Sequence, residues 1–195
     1  MNGVTLQLGL QDHQRPEAAR LYWQAFGAKL GKVMGPEPTA LRFLIRVMRA
    51  DQVITALGPG GQLLGIAGFK TARGGFAAGQ ATDLRAIYGP LGSLWRGSLL
   101  GRLSDDGDHD RFLLDGLCVD APARGHGLGS ALLNAICAEA RLRGHSAVRL
   151  DVIDSNKRAI DLYERLGFRV EARQDIGLLR HVFGFSAALG MVRDV

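Results

Sequence analysis

Residues 112–133 read FLLDGLCVDAPARGHGLGSALL, and three kinds of local structure follow one another in that stretch. Phe112 to Val119 is apolar except at Asp115 and Gly116, the pattern of a buried strand. Arg124-Gly125-His126-Gly127-Leu128-Gly129 is a glycine-rich turn. From there Leu128, Leu132, Ala135, Ile136 and Ala140 recur on one face of a helix that ends at Gly144, with Ser130, Asn134 and Arg141 on another face. Val148, Leu150 and Val152 then alternate along a second strand. A strand–helix–strand unit of this length closes as a right-handed crossover with two parallel strands.

The glycine turn has a chemistry of its own. The first amides of a helix lack internal partners and carry the positive end of the helix dipole. Glycines remove the Cβ atoms that would hold a ligand away from those amides. A phosphate or pyrophosphate fits such a place, with Arg124 near enough for a charge-assisted contact. Spacing separates the devices that use this site. The phosphate loop GxxxxGK[ST] needs a lysine that is absent between Gly125 and Ile153. A dinucleotide fingerprint GxGxxG started at Gly125 or Gly127 meets Ser130 or Leu132 where its third glycine belongs. Asp151 does lie where a ribose-binding acid is expected, which keeps a nucleotide-dependent oxidoreductase open as an alternative. The pattern Arg-x-x-Gly-x-Gly/Ala is matched in full by Arg124, Gly127 and Gly129.

The stretch LCVDAPARGHGLGSALL (117–133) resembles the acetyl-CoA-binding motif of the GNAT superfamily of N-acetyltransferases. LDVIDSNKRAIDLYERLGF (150–168) resembles the strand and helix that follow it there. The resemblance implies an α/β (α+β) fold: a mixed, mostly antiparallel central sheet with helices on both faces. It implies an acyltransferase that moves an acetyl group from acetyl-CoA to an amine acceptor, with no metal. It places the pantetheine arm on backbone groups of Leu117 and Val119, and the diphosphate on the turn formed by Arg124, Gly125, His126, Gly127, Leu128, Gly129 and Ser130. Tyr163 becomes the acid towards the departing sulfur, and Asn156 bonds the pantetheine or caps its helix. Ala159, Tyr163 and Leu166 share a helix face, as a core aromatic would, but the setting Leu162-Tyr163-Glu164 within the resembling stretch favours the functional role.

Asp115 is the candidate base. Strand alternation puts it on the face of Leu113, Leu117 and Val119, and apolar neighbours raise a carboxylate's pKa. An acidic residue at about this place is common in the superfamily. Gly116 beside it points to a bulge or a close backbone approach, or simply to room for a packed side chain.

Outward from the motif, Val4 to Leu10 reads as a strand, and Pro16 opens a helix that Gly27 and Gly31 end. Leu41, Leu44, Ile45 and Met48 mark a second helix. Val53–Leu57 and Leu63–Lys70 form a hairpin around Gly58-Pro59-Gly60-Gly61. Residues 71–110 read as a helical insertion of one or two short helices, with Tyr88 and Trp95 as candidate walls of an acceptor site or as core. This stretch departs from the superfamily plan. The four acids of Asp105-Asp106-Gly107-Asp108-His109-Asp110 fit a solvated turn, or a lure for a cationic amine. Phe168–Glu171 and Val182–Val192 supply the last strands.

The 195 residues fit one domain. Net charge is +5, without long like-charge runs or aromatic-basic interleaving, so an arginine-rich solvated surface or an anionic cofactor explains it better than nucleic acid. Cys118 and Cys137 lie in apolar runs without metal-ligand spacing, which suits reduced thiols in the cytoplasm. No apolar run is long enough to span a membrane, and no signal peptide is evident at Met1–Leu10. A homodimer is among the states open to such a chain. A non-catalytic acyl-CoA sensor is a further alternative, against which the presence of both Asp115 and Tyr163 argues.

Overall fold

Seven strands lie side by side in the order β1-β2-β3-β4-β5-β7-β6 in the computed structural model, which describes residues 3–71, 74–101, 111–177 and 184–195. The strands are β1 (Thr5–Leu8), β2 (Val53–Leu57), β3 (Leu63–Lys70), β4 (Phe112–Val119), β5 (Ala147–Ile153), β6 (Arg169–Asp175) and β7 (Ala187–Asp194). The helices are α1 (Arg15–Met34), α2 (Glu37–Val47), α3 (Ala81–Gly101), α4 (Leu128–Leu142) and α5 (Lys157–Arg165). Every strand pair is antiparallel except β4–β5, the pair joined by the α4 crossover. The expected mixed, mostly antiparallel sheet is therefore present. The acidic run 105–110 and residues 182–183 lie outside the described residues.

Apolar alternation sorts the strands' side chains between two layers. Ala67, Phe69, Phe112, Leu114, Val148 and Leu150 pack against α4 and α5, through Leu132, Leu133, Ile136, Ile160 and Tyr163. Val53, Leu63, Ile66 and Cys118 pack on the other face against Ala18, Ala19 and Leu21 of α1 and Leu44 of α2. A third cluster joins Val33 and Met34 of α1, Phe43 and Val47 of α2, Leu84 of α3 and Phe185.

One helix differs from the sequence reading. Helix α1 runs through Gly27 and Gly31 and stops at Gly35, before Pro36. Each interior glycine costs about 1 kcal/mol of helix propensity, but the ring of Trp23 lies where a Gly27 side chain would begin, 3.0 Å from the ideal Cβ. Burial of the α1 face outweighs the propensity cost. The insertion is helical as expected, two segments within α3 that meet at a break where Gly89 takes φ +72° ahead of Pro90. It is fastened to the end of α1: the Tyr88 hydroxyl donates to Met34 O at 2.7 Å and Arg96 Nε to Val33 O at 2.7 Å. Arg96 also lies over the rings of Tyr88 and Trp95. Tyr88 is thus a structural clasp and not a pocket wall.

Strands β3 and β4 slip register between Gly68 and Phe69, which pair with Gly116 and Leu114. Asp115 is the extra residue, so β4 carries a bulge at this point. Glycines make the bulge fit: a Cβ on Gly68 would lie 2.7 Å from Phe76 Cβ, and one on Gly116 3.1 Å from the Phe26 ring. Phe76 is fully buried. Gly68→Ala should therefore destabilise the protein by about 1–3 kcal/mol, the usual result of overpacking a core. Denaturant unfolding checks this; an unchanged midpoint would mean that Phe76 gives way freely.

Candidate functional site

The parallel pair β4–β5 is joined only at Phe112–Leu114 against Val148–Leu150. Beyond Leu114 and Leu150 the strands part, and a cleft of about 620 Å³ opens in the fork. One side is the free edge of β4. The Asp120 amide donates to Leu64 O at 2.8 Å, which turns the backbone of Asp120 and Cys118 towards β3. Backbone groups alternate along a strand, so those of Leu117 and Val119 face the fork. Leu117 and Val119 themselves pack against the α4 layer.

The cleft runs from this edge to the start of α4. Gly127 caps the helix with φ +79° and Gly125 has φ +84°, a backbone that residues with a Cβ rarely adopt. No atom lies within 4 Å of an ideal Cβ at either position. The first backbone bond of the helix comes from Ala131 N to Gly127 O, 3.0 Å, and no side chain caps the terminus. The first turn carries no acid. The amides of Leu128, Gly129 and Ser130 thus open an anion-attracting helix end. Gly129 answers a different need: its missing Cβ would lie 3.2 Å from Leu162 of α5, so it lets α5 close on α4. Arg124 lines the cleft and braces the loop, its Nε donating to Val119 O at 2.9 Å. That leaves Val119 its N–H to present to the fork. His126 is exposed and does not line the cleft.

Helix α5 supplies the opposite wall with Arg158, Ala159, Leu162, Tyr163 and Arg165. Asn156 caps this helix, its side chain accepting from Ala159 N at 3.3 Å, and it also lines the cleft. Tyr163 is only 8% exposed, and burial pushes its phenol up to about 12, with Cys118 nearby acting in the same direction. It stays protonated throughout the neutral range. Burial likewise raises the Cys118 thiol, which keeps it from serving as a nucleophile. Arg158 and Arg165 were not singled out in the sequence, although with Leu162 their spacing of four and three residues marks one helix face.

Asp115 lines the cleft but not on the expected face. The bulge resets the alternation, so Leu117 and Val119 point to the α4 layer. Asp115 turns instead to the loop before α3, where its Oδ2 accepts from Ala77 N at 3.1 Å and crowds Gly75. Tyr22 of α1 lies close enough for the Asp115 charge to raise its phenol pKa further, beyond what burial does. Burial holds the Asp115 carboxyl above the usual carboxylate range, and the amides of Ala77 and Phe76 and the charge of Lys70 oppose this only in part. Phe26, Ala25 and Gln24 of α1 complete this end.

A sequence model of the acetyltransferase (GNAT) family matches residues 16–168. The fold is similar to that of a GCN5-related N-acetyltransferase from Kribbella flavida (16% identity, TM-score 0.64, 99% of this chain and 98% of that one covered). It is similar to yncA from Salmonella typhimurium, solved with its cofactor acetyl-CoA (17%, TM-score 0.61, 99% and 94%). It is also similar to the ribosomal-protein-S18-alanine N-acetyltransferase from Escherichia coli (18%, TM-score 0.58, 98% and 94%). At these identities the likeness is one of fold. No protein of curated function matches the chain by sequence. No described helix is long and apolar enough to cross a membrane.

The raised Asp115 pKa has a consequence for stability. An unfolded aspartate titrates near ~3.9, and the folded protein holds this proton more tightly. The contribution is present at acid pH and is lost as pH rises from about 4 through the folded value. Asp115→Asn keeps an acceptor for Ala77 N and removes the titration. The difference in melting temperature, variant minus native, should climb with pH over that window. Thermal unfolding against pH checks it; a flat difference would refute the burial argument.

Proposed function

The chain belongs to the GNAT acetyltransferase family, and from that premise we propose that it transfers the acetyl group of acetyl-CoA to a primary amine by direct attack in a ternary complex. The observation that carries the reading is the fork: the parted edge of β4 and an uncapped helix terminus with no acid in its first turn line one cleft. An extended amide-bearing arm suits the first part and a diphosphate the second. Arg124, Arg158 and Arg165 make the cleft mouth cationic, as an anionic cofactor requires. The dinucleotide alternative has lost its support. That device belongs to a wound parallel sheet, and here a single pair is parallel.

In this reading the pantetheine arm lies along Leu117 and Val119, and the diphosphate lies on residues 124–130, with Asn156 offering its side-chain amide to the arm. A backbone N–H at the fork polarises the thioester carbonyl as negative charge builds on its oxygen. The amine nitrogen bonds to the carbonyl carbon as the carbon–sulfur bond breaks. The amine's proton passes to Asp115, directly or through water, and the thiolate takes the proton of Tyr163. Asp115 suits the base by its raised pKa, and the bonds it makes to the 76–77 backbone fix its position. Tyr163 suits the acid because burial keeps it protonated. The buried Cys118 packs in the α1–α2 layer, which supports direct attack rather than an acyl-enzyme.

Thiol release from acetyl-CoA with a panel of amines tests the reading. Tyr163→Phe should lower kcat by about 10²-fold or more, the usual worth of a general acid, while calorimetry shows unchanged acetyl-CoA affinity. An unchanged rate removes Tyr163 from the chemistry. Gly127→Val forces a side chain into φ +79° at the helix cap, a strain of about 1–3 kcal/mol, and points bulk at the diphosphate. Acetyl-CoA affinity should fall at least about tenfold, as a loss of ~1.4 kcal/mol requires. Tight acetyl-CoA binding without turnover on any amine would favour a sensor, and a preference for NAD would overturn the reading altogether.

A further inference from the structure

We infer that Asp151 anchors the acceptor and that the acceptor is a zwitterion, a small amine that also carries a carboxylate. This deepens the acetyl-transfer reading and rests on it. The last joined pair of the fork is Leu114 with Leu150. The next residue of each strand is an aspartate, Asp115 on β4 and Asp151 on β5, and both line the cleft. Two carboxylates therefore flank the point where the strands part. Asp115 is committed to the Ala77 amide. Asp151 is more open: its side chain is 42% exposed, and its contact with Arg149 Nη2 is a long 3.4 Å. A cationic amine that comes to the fork meets this carboxylate next to the bare edge of β4.

A second depression, of about 470 Å³, begins where this contact ends. Arg149, Gly190, Arg111, Glu171 and Asp194 line it, over the half of the sheet formed by β5, β7 and β6. Gly190, on the floor of this depression, lies beside Asp151 of the cleft. A Cβ there would lie 3.4 Å from Asp151 Oδ1 and from Ala172 Cβ and 3.8 Å from Arg149 Nε, so glycine leaves room beside the Arg149–Asp151 pair. The trough is polar and holds both signs of charge, with Arg111 paired to Glu171 at its rim. Arg149 makes further contacts besides Asp151, and its side chain is only 15% exposed, so its position is well held.

Partly exposed ion pairs contribute little to stability, so a ligand that brings one charge of each sign can replace the Arg149–Asp151 contact at small cost. Its ammonium goes to Asp151, beside the thioester, and releases one proton to water before the neutral amine attacks and passes its second proton to Asp115. Its carboxylate goes to the Arg149 guanidinium, whose planar fork matches a carboxylate. A simple alkylamine fills only half of this arrangement.

The test compares amino acids with their carboxamides as acceptors, with simple alkylamines alongside, in the thiol-release assay. The native enzyme should prefer the acid by about tenfold or more in kcat/KM, as one charge-assisted contact provides. Arg149→Gln should bring that preference close to unity. Arg149→Lys, which keeps the charge and loses the fork, should leave part of it. Asp151→Asn should raise the amine KM about tenfold with kcat nearly unchanged, the sign of lost ground-state binding. Thermal unfolding and acetyl-CoA calorimetry show that each variant is folded. Equal use of acids and carboxamides, a preference that survives both Arg149 substitutions, or an unmoved KM in Asp151→Asn overturns the inference. Turnover of alkylamines alone overturns it and leaves acetyl transfer standing; turnover of no amine overturns both.

Discussion

The structure depends on a constraint in one strand: β4 must pair with β3 along nearly its whole length, on both sides of the bulge, and with β5 over only three residues. A flat, regular strand would satisfy both neighbours or neither. The extra residue at Asp115 bends β4 and strengthens its twist, so that its second half leaves β5 behind. Two backbone stretches that a continuous sheet would bury in hydrogen bonds are left facing each other across a gap. Such groups are costly to bury unpartnered, and the cleft keeps them accessible to solvent or to a ligand. Glycine at 68 and at 116 is what allows Phe76, Tyr22 and Phe26 to press on the bulge from the α1 side.

Protonation follows from the same geometry. Groups tucked into the fork are pushed towards their neutral forms: Tyr163, Cys118 and Asp115 all have raised pKa values, with burial as the chief cause. The arginines of α5 and of the glycine turn stand at the mouth instead, where water supports their charge. Neutral groups inside and cations outside form a gradient suited to a ligand with a charged head and an uncharged reactive end.

Much of this was legible in the sequence. The spacing of Arg124, Gly127 and Gly129 placed the turn, and apolar periodicity placed β4, α4 and β5, because local propensity and burial agree there. Tyr163 was legible from its setting in Leu162-Tyr163-Glu164, and the structure puts it on the cleft wall. The face of Asp115 was not. Alternation assumes an unbroken strand, and one inserted residue reverses every assignment on one side of it. Gly116 gave the hint without saying which residue would be extra. Helix α1 outran its glycines because Trp23 and the α2 contact favour the helix more than glycine disfavours it, and that balance is tertiary. Arg158, Arg165 and Asp151 needed the fork itself before their place on one cleft had meaning.

The clasp between α3 and the end of α1 has an effect at a distance. Helix α1 is one wall of the cleft, through Gln24, Ala25 and Phe26. Its final carbonyls are gripped by Tyr88 and Arg96 from an element that never reaches the fork. The insertion therefore buttresses α1 from outside the cleft. A change in α3 reaches the cleft only by way of α1, without touching any group that lines it.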